Sequence, residues 1–211
     1  MHVKARSDGE RTRAAIVAAA EEEFAENGYQ GTSVRAIAKR AGANAALAIR
    51  YFGSKEELYM TIARRLFGDL AKPMVGLAAT VTDARSWKAA VELWVDDFLY
   101  MATSRKRAQR LCASLFRHEV THPSRWAGEL KTSFGKPVYD SLRELLAMSD
   151  LSGDAIDLLA SAVWAQICIY ALADGFWLRS FRPAGMAGKK WACKIKEHIC
   201  AGIFARAGYA S

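Results

Sequence analysis

Apolar residues recur at three- and four-residue intervals along nearly the whole chain of 211 residues, and strand-like alternation is absent. Ile16, Ala20 and Phe24 form one such stripe, and this spacing places side chains on one face of an α-helix. Glycines, prolines and capping residues separate the periodic segments. The sequence therefore predicts an all-α protein. Helices are predicted at about 9–27, 34–40, 45–51, 84–103, 105–121, 124–148, 153–181 and 188–207, with one more between a Ser54 cap and Pro73.

Composition excludes several classes of protein. Hydrophobic residues make up 52% and charged residues 25% of the chain, which excludes a disordered protein. The net charge of +8 favours a polyanionic partner such as nucleic acid. The four cysteines form no CxxC pair, which favours free thiols in a reducing cytoplasm. The longest uncharged run, 158–173, is shorter than the roughly 20 residues of a membrane span, so we expect a cytoplasmic protein without a membrane partner.

Residues 33–52 have the pattern of a helix, a tight turn and a short second helix. Val34, Ile37 and Ala38 share the buried face of the first helix, and Gly42 allows the sharp turn. This is the arrangement of a helix-turn-helix, whose second helix enters the major groove of DNA. A plain three-helix bundle would show a similar pattern, so a helical module without DNA binding remains an alternative.

The residues around this motif resemble the N-terminal domain of TetR-family transcriptional regulators, over residues 11–59. The shared features are the F-x-x-x-G-[YF]-x-x-[ST]-[ST] link, the I-A-x-x-A-G segment and the F-x-S-K-E-x-L start of the fourth helix. They occupy 24–33, 37–42 and 52–58 in this chain. The stretch ANAALAIRYFGSKE is most similar to the CecR-type branch. The resemblance implies a DNA-binding domain at 1–56 and a helical ligand-binding and dimerisation domain at 57–211.

The predicted DNA-binding residues follow from the motif and from the resemblance. Arg35 is placed to bond a guanine edge, and Arg50 to reach a phosphate or a base. Tyr51 and Lys55 match positions that bind phosphate in the family, and Lys55 lies near a helix N-terminus that favours anions. The full predicted set is Thr32, Ser33, Arg35, Asn44, Ala45, Ala46, Leu47, Arg50, Tyr51 and Lys55.

Ile49 departs from the family pattern, in which a tyrosine that grips DNA is frequent at this position. An isoleucine side chain donates no hydrogen bond. Ile49 is therefore expected either to make apolar contact with DNA or to pack inside the domain, and the sequence leaves both alternatives open.

A second motif points to an enzyme. The segment His118-Glu119-Val120-Thr121-His122 has the H-E-x-x-H pattern that places two zinc ligands and a general base on one helix. Pro123 follows directly and disfavours helical geometry at His122, which would spoil that alignment. Zinc-dependent hydrolysis is therefore the alternative function, and the favoured prediction is a non-enzyme without metal or cofactor.

The rest of the chain is expected to sense a ligand and to form a homodimer, as the resemblance implies. Large rings in one helical domain are typical of apolar ligand sites, although such residues are more often core. The predicted contacts with a small, hydrophobic organic effector are Trp94, Phe98, Met101, Phe116, Trp164 and Gln166. The helix at 153–181 is apolar nearly all round, which favours a second subunit as cover. The predicted dimer contacts are Val163, Ile167, Tyr170, Ile195, Ile199 and Ile203.

These predictions together describe a ligand-responsive regulator, more often a repressor by the resemblance, that binds a palindromic operator in double-stranded DNA as a dimer.

Overall fold

The computed structural model describes residues 2–172, 186 and 188–208. Every regular element in these residues is a helix, which confirms the all-α prediction. The predicted end of the 153–181 helix lies outside the described residues. The helices are α1 (His2–Gly31), α2 (Val34–Arg40), α3 (Ala45–Phe52), α4 (Lys55–Ala71), α5 (Ala84–Thr103), α6 (Arg107–Thr121), α7 (Ala127–Leu130), α8 (Lys136–Ala147), α9 (Gly153–Leu172) and α10 (Gly188–Arg206), with a short 3-10 turn at Leu77–Thr80.

Local capping sets the starts of the helix-turn-helix elements. The Ser33 side chain accepts a hydrogen bond from the Ala36 backbone at the start of α2, and Asn44 accepts one from Ala46 at the start of α3. Ser54 and Glu57 form a reciprocal capping box at the start of α4. These predicted helix starts are confirmed, because each cap satisfies backbone N–H groups that have no partner within the helix.

The first helix is longer than predicted and bends near its end. Gly28 has φ 66° and ψ −177°, a conformation that favours glycine, and it marks the kink between the main helix and its last turn. A Cβ atom at Gly28 would lie 3.0 Å from Nδ1 of His118 on α6. Glycine therefore allows both the bend and the close approach of α6.

Two hydrophobic clusters divide the core. One contains residues of α5, α8, α9 and α10, with Trp94, Leu142 and Ile167 among its most buried members. The other joins α1, α2, α3 and α4 to Leu111 and Leu115 of α6. In packing terms the N-terminal core thus extends past residue 56 through α4 and includes the middle of α6. The division at 56 and 57 stays a proposal about function.

Pro137 interrupts the predicted 124–148 helix. The segment consists of the short helix α7, a π-helical turn at Lys131–Gly135 and α8, which has Pro137 in its first turn. Proline lacks an N–H and clashes with the carbonyl four residues earlier, and the wider π-helical turn removes that conflict. The single helix predicted at 124–148 is therefore replaced by these three segments.

Helix α9 is apolar on nearly all sides. Among the described residues it is the helix that is long and apolar enough, by length and composition, to cross a membrane. The core helix of a soluble protein meets the same criterion, and α9 packs against α5, α6 and α8. Only a third of its most apolar window is buried, so one face lacks cover within the protomer.

Candidate DNA-binding surface

Helices α2 and α3 present unpaired cations on one exposed surface. Arg35, Lys39 and Arg50 are exposed, and none forms an ion pair with another residue in the described ranges. Lys39 is not among the predicted contacts, although its position four residues after Arg35 places it on the same helix face. Exposed cations without an ion-pair partner in the described ranges match the negative phosphate backbone of DNA.

The start of α3 has the mixed character that the sequence predicted. Asn44 and Ala46 are exposed, and Asn44 uses its side-chain oxygen for the cap, which leaves its amide hydrogens for another acceptor. Ala45 and Leu47 are half-buried. Ile49 is 45% exposed and does not pack inside the domain, so apolar contact is the alternative that remains open for it.

Thr32 does not belong to this surface. Its side chain is only 3% exposed, and its hydroxyl donates to the Gly28 carbonyl at 2.8 Å and lies 3.0 Å from that of Glu23. That hydroxyl holds the kinked end of α1, and the predicted contact of Thr32 with DNA stays untested by these bonds. Ser33, which caps α2, is exposed at the start of that helix.

Tyr51 and Lys55 lie at the edge of the surface. Both are half-buried. The Lys55 ammonium lies 4.3 Å from the centre of the Tyr29 ring, and burial lowers the pKa of Lys55. Tyr51 lies close to α1, since a Cβ atom at Gly9 would be 3.2 Å from its hydroxyl oxygen. Both remain predicted contacts with phosphate.

The acidic residues of α1 pair with arginines of α6 and α2. Glu21 pairs with Arg107 of α6 at 2.6 Å, and Glu22 pairs with Arg107 at 3.1 Å. Arg40 at the end of α2 pairs with both Glu23 and Glu26. The clustered acids therefore join α1 to α6 and to α2, and in the described ranges none of them pairs with Arg35, Lys39 or Arg50.

The H-E-x-x-H segment has no metal-site geometry. Helix α6 ends at Thr121, and His122 has φ −139° and ψ 75°, so its exposed ring is not aligned one turn after His118. His118 Nε2 lies 3.2 Å from the Ala25 carbonyl oxygen of α1. In the described part of the chain, no group of three or more His, Cys, Asp or Glu residues is placed to hold a metal.

Glu119 instead fastens the loop after α6 to α4. Its carboxylate accepts hydrogen bonds from the Tyr59 hydroxyl, from the Ser124 backbone at 3.1 Å and from the Ser124 hydroxyl at 3.0 Å. Burial, and then the Glu119 carboxylate, raise the pKa of Tyr59, which stays a hydrogen-bond donor at neutral pH. The role of Glu119 here is structural.

We expect Glu119→Ala to lower the free energy of unfolding by about 1–3 kcal/mol, because it leaves the buried Tyr59 hydroxyl without its acceptor. Glu119→Gln keeps an acceptor oxygen for the Tyr59 hydroxyl, so this control should lower the free energy of unfolding by less. Urea unfolding of both variants, with and without a chelator, measures the effect. A chelator-sensitive wild-type midpoint would instead favour a metal site.

The predicted effector contacts fall into two groups. Trp94, Phe98 and Trp164 pack on one another, with ring centroids 5.2 Å apart for the first pair and 4.7 Å for the second. Met101 and Phe116 are partly buried against the same core. Gln166 is exposed and lines an open groove with Tyr170, Trp191 and His198, away from those rings. Gln166 thus lies on the outer face of α9, and its contact with an effector stays a prediction.

The predicted dimer residues are mostly inside the protomer. Five of the six are at most 8% exposed, so they form no apolar patch in a single protomer. These five side chains pack in the core of the protomer, and their contact with a second subunit stays a prediction. Those five are Val163, Ile167, Ile195, Ile199 and Ile203. Tyr170 is partly buried and lines the groove between α9 and α10.

Comparisons with known proteins place this N-terminal unit. Residues 16–62 match the family described as "Bacterial regulatory proteins, tetR family". The HTH-type transcriptional regulator Rv1816 of Mycobacterium tuberculosis is 33% identical over 135 residues, which cover 64% of this chain and 48% of that protein. The HTH-type transcriptional dual regulator CecR of Shigella flexneri is 45% identical over 56 residues, which are 26% of this chain and 25% of that one. The chain thus spans about half or less of these relatives' lengths.

Solved structures of similar fold cover nearly the whole chain. NalD, the secondary repressor of the MexAB-OprM multidrug efflux pump in Pseudomonas aeruginosa, has a TM-score of 0.65 at 23% identity and covers 95% of this chain and 97% of its own. The regulator FadR of Bacillus subtilis, in complex with stearoyl-CoA, has a TM-score of 0.65 at 16% identity, over 92% of this chain and 98% of its own. These likenesses show the fold alone. The match at residues 16–62 and the related regulators show that the N-terminal part of this chain is similar to the TetR family of bacterial regulatory proteins.

Proposed function

We propose that the protein is a cytoplasmic, ligand-responsive repressor that binds a palindromic operator as a homodimer. The observation that carries DNA binding is the exposed surface of α2 and α3, on which Arg35, Lys39 and Arg50 have no ion-pair partner within the described ranges. Selection of bound sites from random duplex DNA tests the proposal and yields the operator. Recovery of no enriched sequence by the purified protein would overturn it.

Arg35→Ala is expected to weaken operator binding by about 1–3 kcal/mol per half-site and to relax the preference at one base pair. The reason is that an exposed guanidinium at the start of α2 can form two hydrogen bonds to a guanine edge. Fluorescence anisotropy on the selected operator, and on operators with single base changes, measures both effects. Arg206→Ala, an exposed cation at the far end of α10, is the control that should leave both unchanged.

The dimer is proposed from the uncovered face of α9. Leu158 and Ile169 are 65% and 53% exposed on an otherwise apolar helix. The groove between α9 and α10 adjoins Ile169 and is lined by Trp191. An apolar face of this kind is expected to be covered by another protein surface, and a second copy related by a two-fold axis meets that need. A two-fold dimer also matches the symmetry of a palindrome.

The effector is proposed to be a small, hydrophobic organic molecule bound in the helical body at 57–211. The names of two structural neighbours support this class, since one represses a multidrug efflux pump and the other was solved with stearoyl-CoA. An effector releases DNA only if it binds more tightly to the conformation that does not fit the operator. Native mass spectrometry of the purified protein, followed by release of the operator on addition of the molecule found, tests this part.

A further inference from the structure

Lys55 is held against an aromatic ring. The ammonium group lies 4.3 Å from the centroid of Tyr29, which follows the kink of α1. A cation over a ring face is attracted by the ring's electrons, and the contact also restricts a long side chain that is otherwise flexible. Tyr29 therefore fixes the position of the Lys55 ammonium group at the N-terminus of α4.

Tyr29 is itself fixed by an acidic residue with a second partner. Its hydroxyl donates to Glu56 Oε1 at 2.7 Å, and the Arg125 guanidinium pairs with the same oxygen at 2.9 Å. The hydrogen bond from Tyr29 holds the pKa of Glu56 below its usual range, so the carboxylate is charged at neutral pH. One carboxylate thus connects the ring under Lys55 to Arg125.

Arg125 belongs to the loop between α6 and α7, which lies 70 residues away from Lys55 in sequence. The neighbouring Ser124 is bonded to Glu119 of α6, and Glu119 accepts a hydrogen bond from Tyr59 of α4. The position of Arg125 therefore depends on how the end of α6 lies against α4. A displacement of α6 changes the contact between Arg125 and Glu56.

We propose that Tyr29, Glu56 and Arg125 are positioning residues that hold Lys55 at a DNA phosphate, and that the α6–α7 loop thereby adjusts the operator affinity. This inference rests on the proposed function, since it assumes an operator. Lys55 contacts the phosphate, and the ring of Tyr29 holds the Lys55 ammonium in place. Glu56 bonds both Tyr29 and Arg125, so a shift of Arg125 moves the Tyr29 ring. The loop acts on DNA binding without touching DNA.

The test compares Lys55→Gln, Arg125→Gln and the double variant on a duplex carrying the selected palindrome. If Lys55 neutralises one phosphate per protomer, Lys55→Gln lowers the slope of log affinity against log salt by about 1.8 for the dimer. Arg125→Gln should weaken binding roughly three- to tenfold at about 0.15 M salt, because the contact is lost in both protomers, and should lower the slope in the same direction. The double variant should bind like Lys55→Gln alone.

Arg64→Gln is the matched control. Arg64 forms the other described pair between α4 and the residues after α6, with Glu129 at 3.0 Å, and it contacts neither Glu56 nor Tyr29. Arg64→Gln removes one positive charge and one ion pair between α4 and the residues after α6, as Arg125→Gln does. It should leave the operator affinity and its salt dependence near those of the wild type. Tyr29→Phe, which keeps the ring and removes the hydroxyl, should lie between the wild type and Arg125→Gln.

The outcomes separate the inference from the proposed function. Equal effects of Arg125→Gln and Arg64→Gln, or additive effects of Arg125→Gln and Lys55→Gln, would overturn the positioning role. If Lys55→Gln shows the wild-type slope of log affinity against log salt, the positioning role is overturned, whereas the proposed operator binding is not. If the wild-type protein selects no DNA sequence at all, the proposed function itself fails, and the inference fails with it.

Discussion

Replacing Ile169 by Asp should convert the proposed dimer into a folded monomer and weaken binding to the proposed palindromic operator by more than about 100-fold. Ile169 is 53% exposed on the outer face of α9, so a carboxylate there costs little in a single protomer. In an apolar interface between two copies of α9, the same carboxylate would be buried without a partner, and this is strongly destabilising. Sedimentation gives the mass, and anisotropy on whole and half operators gives the affinity.

Two variants make this result specific. Leu93→Asp places the same charge at a similarly exposed site on α5 and should leave the protein dimeric. Ile199→Asp places it at a side chain that is 4% exposed, so the protomer itself should lose its helical circular dichroism. A wild-type mass and affinity in Ile169→Asp would contradict the interface, and a wild-type monomer with full operator affinity would contradict the dimer.

Trp94→Ala should lower the free energy of unfolding by about 3–5 kcal/mol and the melting temperature by about 6–20 °C. The Trp94 side chain is fully buried, and its ring packs on Phe98. Its Nε1–H donates to the Ser141 hydroxyl at 2.9 Å. Removal of the ring therefore leaves a cavity in the body core and an unpaired hydroxyl acceptor.

Trp94→Phe is the control, since it keeps a ring and should cost less than the alanine variant. Indole added to Trp94→Ala should raise the melting temperature again, because an apolar cavity binds a ring that fits it. Calorimetry measures all three effects. A loss below about 1 kcal/mol in Trp94→Ala would show that this ring borders an open effector cavity instead of packing in the core.

Local chemistry made the helix-turn-helix readable from the sequence. The caps at Ser33, Asn44 and Ser54 each bond a backbone group within three residues, so the responsible side chain and its partner stand together in the chain. The turn at Gly42 is equally local, since its φ of 63° favours glycine. Pro123 likewise indicated that His122 would lie outside the helix, because the residue before a proline disfavours helical geometry. These features depend on nearest neighbours along the backbone.

Burial and pairing between distant segments required the tertiary structure. Helix α9 is apolar all round, so its periodicity could not tell which face enters the core, and Ile167 is buried whereas Ile169 is exposed. Thr32, a predicted DNA contact, is buried, and its hydroxyl donates to the Gly28 carbonyl of α1. The bonds of Tyr59 to Glu119 and of Arg125 to Glu56 join residues at least 60 positions apart. Sequence spacing fixes which side chains share a helix face, whereas the packing of whole helices decides which face is buried and which charges meet.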